Sequence, residues 1–271
     1  MSRLTASIKK SDLRKKKEAD IIRAYWWSGE RNRNFGDALS PYLVEKISHK
    51  KPVLCSKHCS KEYYIVTGSV IGAANKNAII WGAGILYRYE KIKKPKKIFA
   101  VRGPLTRKRL LESGYECPEV YGDPALLLPR LYTPKTKKQY DLGIIPHYVD
   151  YNRVKNEIDT GDALIINLLD PIEQVIDSVY SCKRTVSSSL HGIITSHTYG
   201  VPSVWVEFSN RLVGDGTKFN DYFLSVNIEP YKPFNFKNQI PSTDELISIA
   251  DKGTNELCID LDKLMDSCPF K

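Results

Sequence analysis

The sequence of 271 residues has no hydrophobic run long enough to cross a membrane. Its apolar runs, such as Ala163–Leu169, are far shorter than the roughly 20 residues that a membrane-spanning helix requires. Arginine and lysine dominate the first residues, and no apolar segment of signal length follows them, which predicts no signal peptide. We therefore expect a cytoplasmic protein.

The chain also lacks internal repeats, low-complexity segments and any recognisable nucleic-acid-binding module. Aromatic residues are not interleaved with the basic runs, as they would be in a protein that binds single strands. Of the six cysteines only Cys55 and Cys59 lie close together, beside His58, and no second paired motif completes a metal site. We therefore predict no nucleic-acid partner and no metal, and in a reducing compartment we expect the cysteines to be thiols.

The net charge of +10 is concentrated in two stretches. Residues 1–17 carry seven basic residues and one acidic residue, and residues 88–109 carry ten and one. Such stretches suit phosphate, anionic lipid or nucleic acid. We expect residues 1–19 to form a basic tail, either in peripheral contact with an anionic membrane surface or solvated without a partner.

Strand-like runs alternate with helix-like runs, which predicts parallel sheets covered by helices. The first series has strands at residues 24–28, 63–67, 78–81, 97–101 and 118–121, and helices at 36–47 and 104–112. The second has strands at residues 141–146, 163–168, 184–187 and 202–207, and helices at 172–182, 190–199, 244–251 and 256–265. The division near residues 130–138 predicts an α/β protein with two Rossmann-like, doubly wound domains, at residues 20–134 and 135–240. A C-terminal helical segment follows at residues 241–271.

The strongest candidate motif reads V-S-S-S-L-H-G at residues 186–192, where a strand is followed by a helix. Ligands of open α/β sheets bind at the carboxyl ends of strands, and free N–H groups at a helix N-terminus attract anions. His191, in the first turn, is positioned to exchange protons with a bound molecule. The alternative is that Ser189 only caps the helix and His191 packs locally. The anion-binding residues of this turn are predicted to be Ser187, Ser188, Ser189, Leu190 and Gly192.

Three further junctions carry candidate side chains. Arg102, at a strand end, can bind a carboxylate or phosphate through two hydrogen bonds, or can pair with a structural aspartate. In the N-F-G-D motif, Gly36 allows a sharp turn, and Asp37 either orients a sugar hydroxyl or accepts its proton, or it caps the helix. Asn34 and Gly36 are predicted to bind the substrate. The carboxylate of Asp123 precedes a proline, which confines it to an extended backbone. His147 follows another strand at the same predicted sheet edge.

The motifs N-F-G-D, V-R-G-P-L-T, Y-G-D-P-A-L-L-L and S-S-S-L-H-G-I-I-T-S-H-T-Y-G-V-P occur in this order within roughly residues 24–207. The ordered set resembles the polysaccharide pyruvyltransferase family. The resemblance implies a fold similar to two-domain GT-B glycosyltransferases, phosphoenolpyruvate as donor without a further cofactor, and a glycan or lipid-linked oligosaccharide as acceptor. It also implies that His191 is the acid/base and that Arg102 helps to bind the donor.

The chain departs from the family pattern at one position. Members often carry S-R-L-H-G, whereas Ser189 takes the place of that arginine here. Candidates for a replacement cation are Lys183, Arg184 and Arg211. Two other functions stay open at this point: a glycosyltransferase that uses a nucleotide sugar, and a non-catalytic glycan-binding relative.

Overall fold

The structure is a computed structural model, and it describes residues 19–28 and 34–271. All the basic residues of the expected N-terminal tail lie outside this part of the chain. Among the helices described, none is long and apolar enough to cross a membrane.

The first half of the chain forms a sheet of five parallel strands in the order β2-β1-β3-β4-β5. The strands are β1 (Ile21–Tyr25), β2 (Lys51–Leu54), β3 (Tyr63–Ile65), β4 (Ala78–Trp81) and β5 (Lys97–Ala100). Helix α1 (Phe35–Ser48) precedes β2, and helix α2 (Pro104–Glu112) follows β5. Every residue of the apolar strand β4 is buried, as expected for an inner strand with both faces covered.

The second half forms another five-stranded parallel sheet, in the order β10-β9-β8-β6-β7. Its strands are β6 (Tyr140–Ile145), β7 (Leu164–Ile165), β8 (Cys182–Ser187), β9 (Ser203–Glu207) and β10 (Phe234–Asn235). The helices are α3 (Tyr151–Glu157), α4 (Ile172–Tyr180), α5 (Leu190–Thr198), α6 (Thr217–Ser225), α7 (Thr243–Ala250) and α8 (Leu261–Asp266). Two parallel sheets joined through helices confirm the α/β class and agree with two Rossmann-like units. The likeness to GT-B enzymes and the domain boundaries stay predictions.

Several elements differ from the sequence-based expectation. Strand β2 and helices α3 and α6 were not predicted. β2 is an edge strand whose residues are exposed or half-buried, and its Pro52 argues against a strand in the sequence. The strand expected at residues 118–121 supplies only an isolated bridge between Val101 and Tyr121.

Helix α6 packs against α2 of the first half through a buried ion pair. Arg102 Nε lies 3.0 Å from Asp221 Oδ2, and neither side chain is exposed. Asp221 also accepts hydrogen bonds from the amide and the hydroxyl of Thr106, at 2.9 and 2.6 Å. The remaining guanidinium donors reach Ser69 Oγ and the Ile85 carbonyl. Each guanidinium nitrogen thus has a hydrogen-bond partner, as a buried charge requires.

The last residues of the chain return to the first sheet. The indole Nε1 of Trp81, on β4, donates to the Leu264 carbonyl of α8 at 3.1 Å. The ring of Phe270 packs edge-on against Trp81, with the ring centroids 5.4 Å apart. The C-terminal segment therefore covers a fully buried tryptophan of the N-terminal half.

The expectation that all cysteines are thiols is wrong for two of them. Cys55 and Cys59 form a disulfide, while Cys117, Cys182, Cys258 and Cys268 are free. The loop after β2 turns back through a hydrogen bond from the Cys59 amide to the Ser56 carbonyl. This turn leaves the two Cα atoms 5.9 Å apart, which is within disulfide reach. The residues that the structure describes contain no group of three or more side chains able to hold a metal ion.

Removing the carboxylate of Asp221 is expected to destabilise the fold strongly, because Arg102 would remain buried without its counter-charge. Asp221→Ala should lower the free energy of unfolding by about 3–5 kcal/mol. Asp262→Ala is the matched control, because it breaks an exposed pair with Arg130 and should cost much less. Urea unfolding measures both. Equal, small effects would show that the Arg102–Asp221 pair does not hold the two halves together.

Candidate active site

His191 lies in the first turn of α5, directly after the carboxyl end of β8. Ser189 is the N-cap residue, with an extended backbone, and its carbonyl accepts the first intrahelical bond from the amide of Ile193 at 3.1 Å. The amides of the intervening residues precede the intrahelical ladder, so this end of the helix is suited to an anion. The His191 side chain is 13% exposed, so a bound molecule can reach it.

The His191 imidazole contacts two side chains from the first half of the chain. Its Nε2 lies 3.2 Å from Thr67 Oγ1 and 3.6 Å from Asp123 Oδ2. Thr67 follows β3, and its hydroxyl also bonds to Asp123 Oδ1. The cluster of Thr67, Asp123 and His191 therefore joins the carboxyl edges of both sheets, where the topology predicts a ligand site.

Asp123 is fully buried and caps the 3₁₀ helix Pro124–Arg130 by accepting a hydrogen bond from the Ala125 amide at 3.0 Å. Burial alone would raise the pKa of Asp123, but hydrogen bonding and charge from His191, with the Thr67 hydroxyl, hold this pKa below its ordinary value. Asp123 therefore carries a negative charge beside the imidazole. A carboxylate in this position orients the imidazole of a histidine.

Gly36 lies against the Nδ1 edge of the His191 imidazole. A Cβ atom at this position would lie 2.3 Å from His191 Nδ1, so any side chain would displace the ring. The neighbouring Phe35 amide donates to the Leu168 carbonyl at 2.8 Å, which attaches the start of α1 to the second half of the chain. Gly36, which was predicted to allow a sharp turn, thus allows helix α1 to approach the His191 imidazole closely.

Asp37 is half-buried in the first turn of α1. Asn34, the N-cap residue of α1, makes no side-chain cap, and its Nδ2 donates to Asp37 Oδ2 at 2.9 Å. Burial raises the pKa of Asp37, and this effect is opposed by the Asn34 hydrogen bond and by the charges of His191 and Lys218. A carboxylate with a raised pKa is better matched to accept a proton near neutral pH.

Two further nitrogen groups, those of His147 and Lys218, interact electrostatically with His191 and Asp37. Together with the Thr67–Asp123–His191 cluster and Asp37, they define the cleft. Burial, with the charges of Lys218 and His191, lowers the pKa of His147 to about 3, so this imidazole is neutral. Burial and repulsion by Arg102 lower the pKa of Lys218 to about 8, against the attraction of Glu207 and Asp37. Lys218 therefore stays charged below that pH and can hold an anion.

The serine hydroxyls of the predicted anion site are largely used within the protein. Ser187 Oγ donates to the Ile145 carbonyl and accepts from the Ser189 amide, and Ser188 Oγ accepts from the His147 amide at 2.8 Å. Leu190 is buried in the main core, and a Cβ on Gly192 would meet Ser187 Oγ at 2.4 Å. These residues shape the turn and seat α5 on the sheet.

Arg102, predicted to bind the donor, is the buried partner of Asp221, which matches the structural alternative left open by its sequence. Lys183 and Arg184 pair with acidic residues, Asp141 among them, near the start of β8, at the opposite edge of the sheet. Arg211 follows β9 and pairs with the buried Asp150 at 2.9 Å, so it lies at the edge that carries the cluster.

Two residues of the site had not been singled out from the sequence. Thr67 lies at the end of a predicted strand, but one threonine carries no distinctive signal. Lys218 belongs to α6, where Phe219, Tyr222 and Phe223 are buried and give an apolar periodicity that would have indicated a helix.

The fold and the cleft define a protein of the α/β type with a polar centre between two sheets. The chain belongs to the polysaccharide pyruvyl transferase family, whose model matches residues 34–210. It is also 35% identical, over 207 residues, to an uncharacterised protein of Acanthamoeba polyphaga mimivirus, and the match covers 72% of each chain. The resemblance inferred from the motifs is confirmed, and the family supports pyruvyl transfer in general.

Replacing Gly36 by alanine is expected to displace His191 without unfolding the protein. Alanine favours a helix over glycine by up to about 1 kcal/mol, so the free energy of unfolding should change little. The new methyl group should displace the imidazole and change its distances to Thr67 and Asp123, which a crystal structure of the variant would show. A ring that keeps its position would contradict the contact described for Gly36.

Proposed function

We propose that the protein transfers pyruvate from phosphoenolpyruvate to two hydroxyls of one sugar, in a glycan or a lipid-linked oligosaccharide, and forms a cyclic ketal. The observation that carries the proposal is the Thr67–Asp123–His191 cluster, with Asp37 and Lys218 facing it in a cleft of a family member. This arrangement offers a proton donor, a proton acceptor and a cation in one place.

Phosphoenolpyruvate carries a carboxylate and a phosphate, so its site needs cations and N–H donors. Lys218 and the amides at the start of α5 provide these groups in the proposed complex. Arg102 acts indirectly, because its buried ion pair with Asp221 fixes the helix that carries Lys218. Arg211 lies at the same edge and is the other candidate cation.

In the proposed reaction, protonated His191 donates its proton to C3 of the enol, which becomes a methyl group, and C2 becomes electrophilic. A sugar hydroxyl adds its oxygen to C2 and gives its proton to Asp37. The C–O bond to phosphate then breaks, and phosphate leaves with the bonding pair and takes the proton that Asp37 had accepted. A second hydroxyl of the same sugar bonds to C2 and gives its proton to His191, so both side chains return to their starting states. Asp123 stabilises the imidazolium before the first step.

The acceptor and the location are part of the same proposal. A lipid-linked acceptor lies at a membrane surface, and the stretch of residues 88–109 is strongly basic and carries Tyr89, which is 74% exposed. We propose that the protein works in the cytoplasm, in peripheral contact with an anionic membrane where the acceptor is lipid-linked. Nucleic acid is not among the proposed partners.

Replacing His191 by alanine is expected to reduce turnover by about 10²–10⁴, the usual contribution of a positioned acid/base group. The assay follows transfer of labelled carbon from phosphoenolpyruvate to glycan. His49→Asn is the control, because His49 is an exposed residue with a positive φ at the end of α1. Near-normal transfer by the His191→Ala variant would remove His191 from the mechanism. Sugar transfer from a nucleotide sugar, with phosphoenolpyruvate untouched, would identify a glycosyltransferase instead.

The affinity for phosphoenolpyruvate is expected to depend on the charge of Lys218. Because its pKa lies near 8, kcat/KM for the donor should fall as the pH rises through about 8. Lys218→Arg should remove this loss, since arginine keeps its charge. Lys218→Met should raise the KM of the donor by about 10–100-fold at neutral pH. A pH profile that is the same in all three proteins would exclude Lys218 from the donor site.

A further inference from the structure

A cavity of about 570 Å³ lies where the chain leaves β1 and β2. One wall is formed by the aromatic residues Tyr25, Trp26 and Trp27. The opposite wall is the loop after β2, which contributes Leu54, Lys57 and His58. The mechanism proposed above uses none of these side chains.

The topology places this cavity beside the catalytic cluster. β1 lies between β2 and β3, and all three strands are parallel, so their carboxyl ends share one edge. Tyr25 pairs in register with Ile65, two residues before Thr67. Burial and the negative charge of Asp37 raise the pKa of Tyr25, so this tyrosine interacts electrostatically with the proposed proton acceptor. The cavity therefore lies at the same sheet edge as the reaction centre.

The aromatic wall offers a flat apolar surface to solvent. Trp27 is 60% exposed, whereas Trp26 is partly buried against the main core. An exposed indole gives a ligand a large contact area with one polar N–H group. Across from it, Lys57, His58 and Ser56 supply hydrogen-bonding groups. An apolar face opposite a polar wall matches a sugar ring, which has C–H faces and a rim of hydroxyls.

The loop that forms the polar wall is held in place before any ligand arrives. The disulfide between Cys55 and Cys59 closes it, and the Cys55 amide donates to the Ala24 carbonyl at 2.8 Å. Asn75 Nδ2 donates to the Lys57 carbonyl at 3.0 Å, and the His58 amide to Ser56 Oγ. A wall that is already ordered loses little conformational entropy on binding.

We propose that this cavity binds a neutral sugar ring of the acceptor, next to the sugar that receives the pyruvate, with Trp27 stacked on its C–H face. The inference rests on the proposed function, in that the acceptor is a glycan. It assigns acceptor recognition to the ends of β1 and β2, apart from the cluster that binds the donor.

Direct binding tests the subsite without any transfer reaction. The full chain is applied to an array of neutral and acidic glycans, and the bound glycans are then titrated while acrylamide quenching of tryptophan fluorescence is followed. Trp81 and Trp205 are buried, so quenching reports on Trp26 and Trp27. We expect glycan to shield the fluorescence. Trp27→Ala should abolish the shielding and weaken binding about tenfold or more, whereas Trp27→Phe should retain most of the affinity.

Ile240→Ala is the matched control, because Ile240 is a large apolar residue that is 57% exposed and lines a different cavity, and its loss should leave glycan binding unchanged. In the transfer assay, Trp27→Ala should raise the KM of the glycan and leave the KM of phosphoenolpyruvate and kcat unchanged within about threefold. This split separates contact with the acceptor from a general loss of structure.

The outcomes separate the two proposals. Glycan binding that depends on Trp27, without transfer of pyruvate, supports the subsite and overturns the proposed reaction. Transfer of pyruvate with a glycan KM that Trp27→Ala leaves unchanged overturns the subsite alone. Absence of glycan binding across the array also overturns it, as does shielding of Trp27 by uridine monophosphate but by no glycan, which would assign the cavity to a nucleotide.

Discussion

The geometry of the cleft depends on the buried ion pair between Arg102 and Asp221. Such a pair is stable only because each charge is surrounded by hydrogen-bonding partners, here Ser69, Ile85 and Thr106. The pair joins the end of β5 to α6 and so attaches a helix of the second half to the first sheet. Because Lys218 lies three residues before Asp221, its position follows from that attachment. Arg102, which the sequence suggested as a ligand-binding residue, therefore affects the site by fixing the helix that carries Lys218.

The cleft combines groups whose charges are set by their surroundings. The pKa of Asp37 is raised. The pKa of His147 is lowered to about 3, so its imidazole is neutral, and the pKa of Lys218 is lowered to about 8. Asp123 alone is driven toward the charged form, and it contacts His191. Neighbouring titratable groups whose pKa values are shifted in opposite directions are typical of sites that move protons. The pattern results from burial between two sheet edges, which no single motif determines.

Much of the architecture could be predicted from the sequence because buried parallel strands and amphipathic helices give strong periodic signals. β4 and α5 were found in this way, whereas β2 was missed because its Pro52 argues against a strand in the sequence. Junction motifs also singled out His191, Asp123 and Gly36, which the structure brings together where the two sheets meet. Their mutual contacts could not be predicted, because Thr67 and His191 are 124 residues apart and meet only when the two sheets pack. The Cys55–Cys59 disulfide was not predicted, because the redox state of the cysteines was inferred from the expected cellular compartment. The pairing depends instead on the local turn, which brings the two cysteines together.

The return of the C-terminal segment to Trp81 has a consequence for how the protein is made. During synthesis the first sheet leaves the ribosome long before α8 and Phe270 exist. Until then, Trp81 lacks the ring of Phe270 that packs against it, and its indole N–H lacks the Leu264 carbonyl as acceptor. Packing around Trp81 is therefore complete only after residues 264–270 have been synthesised. A nascent chain stalled before residue 264 would present an apolar aromatic surface for chaperones to bind.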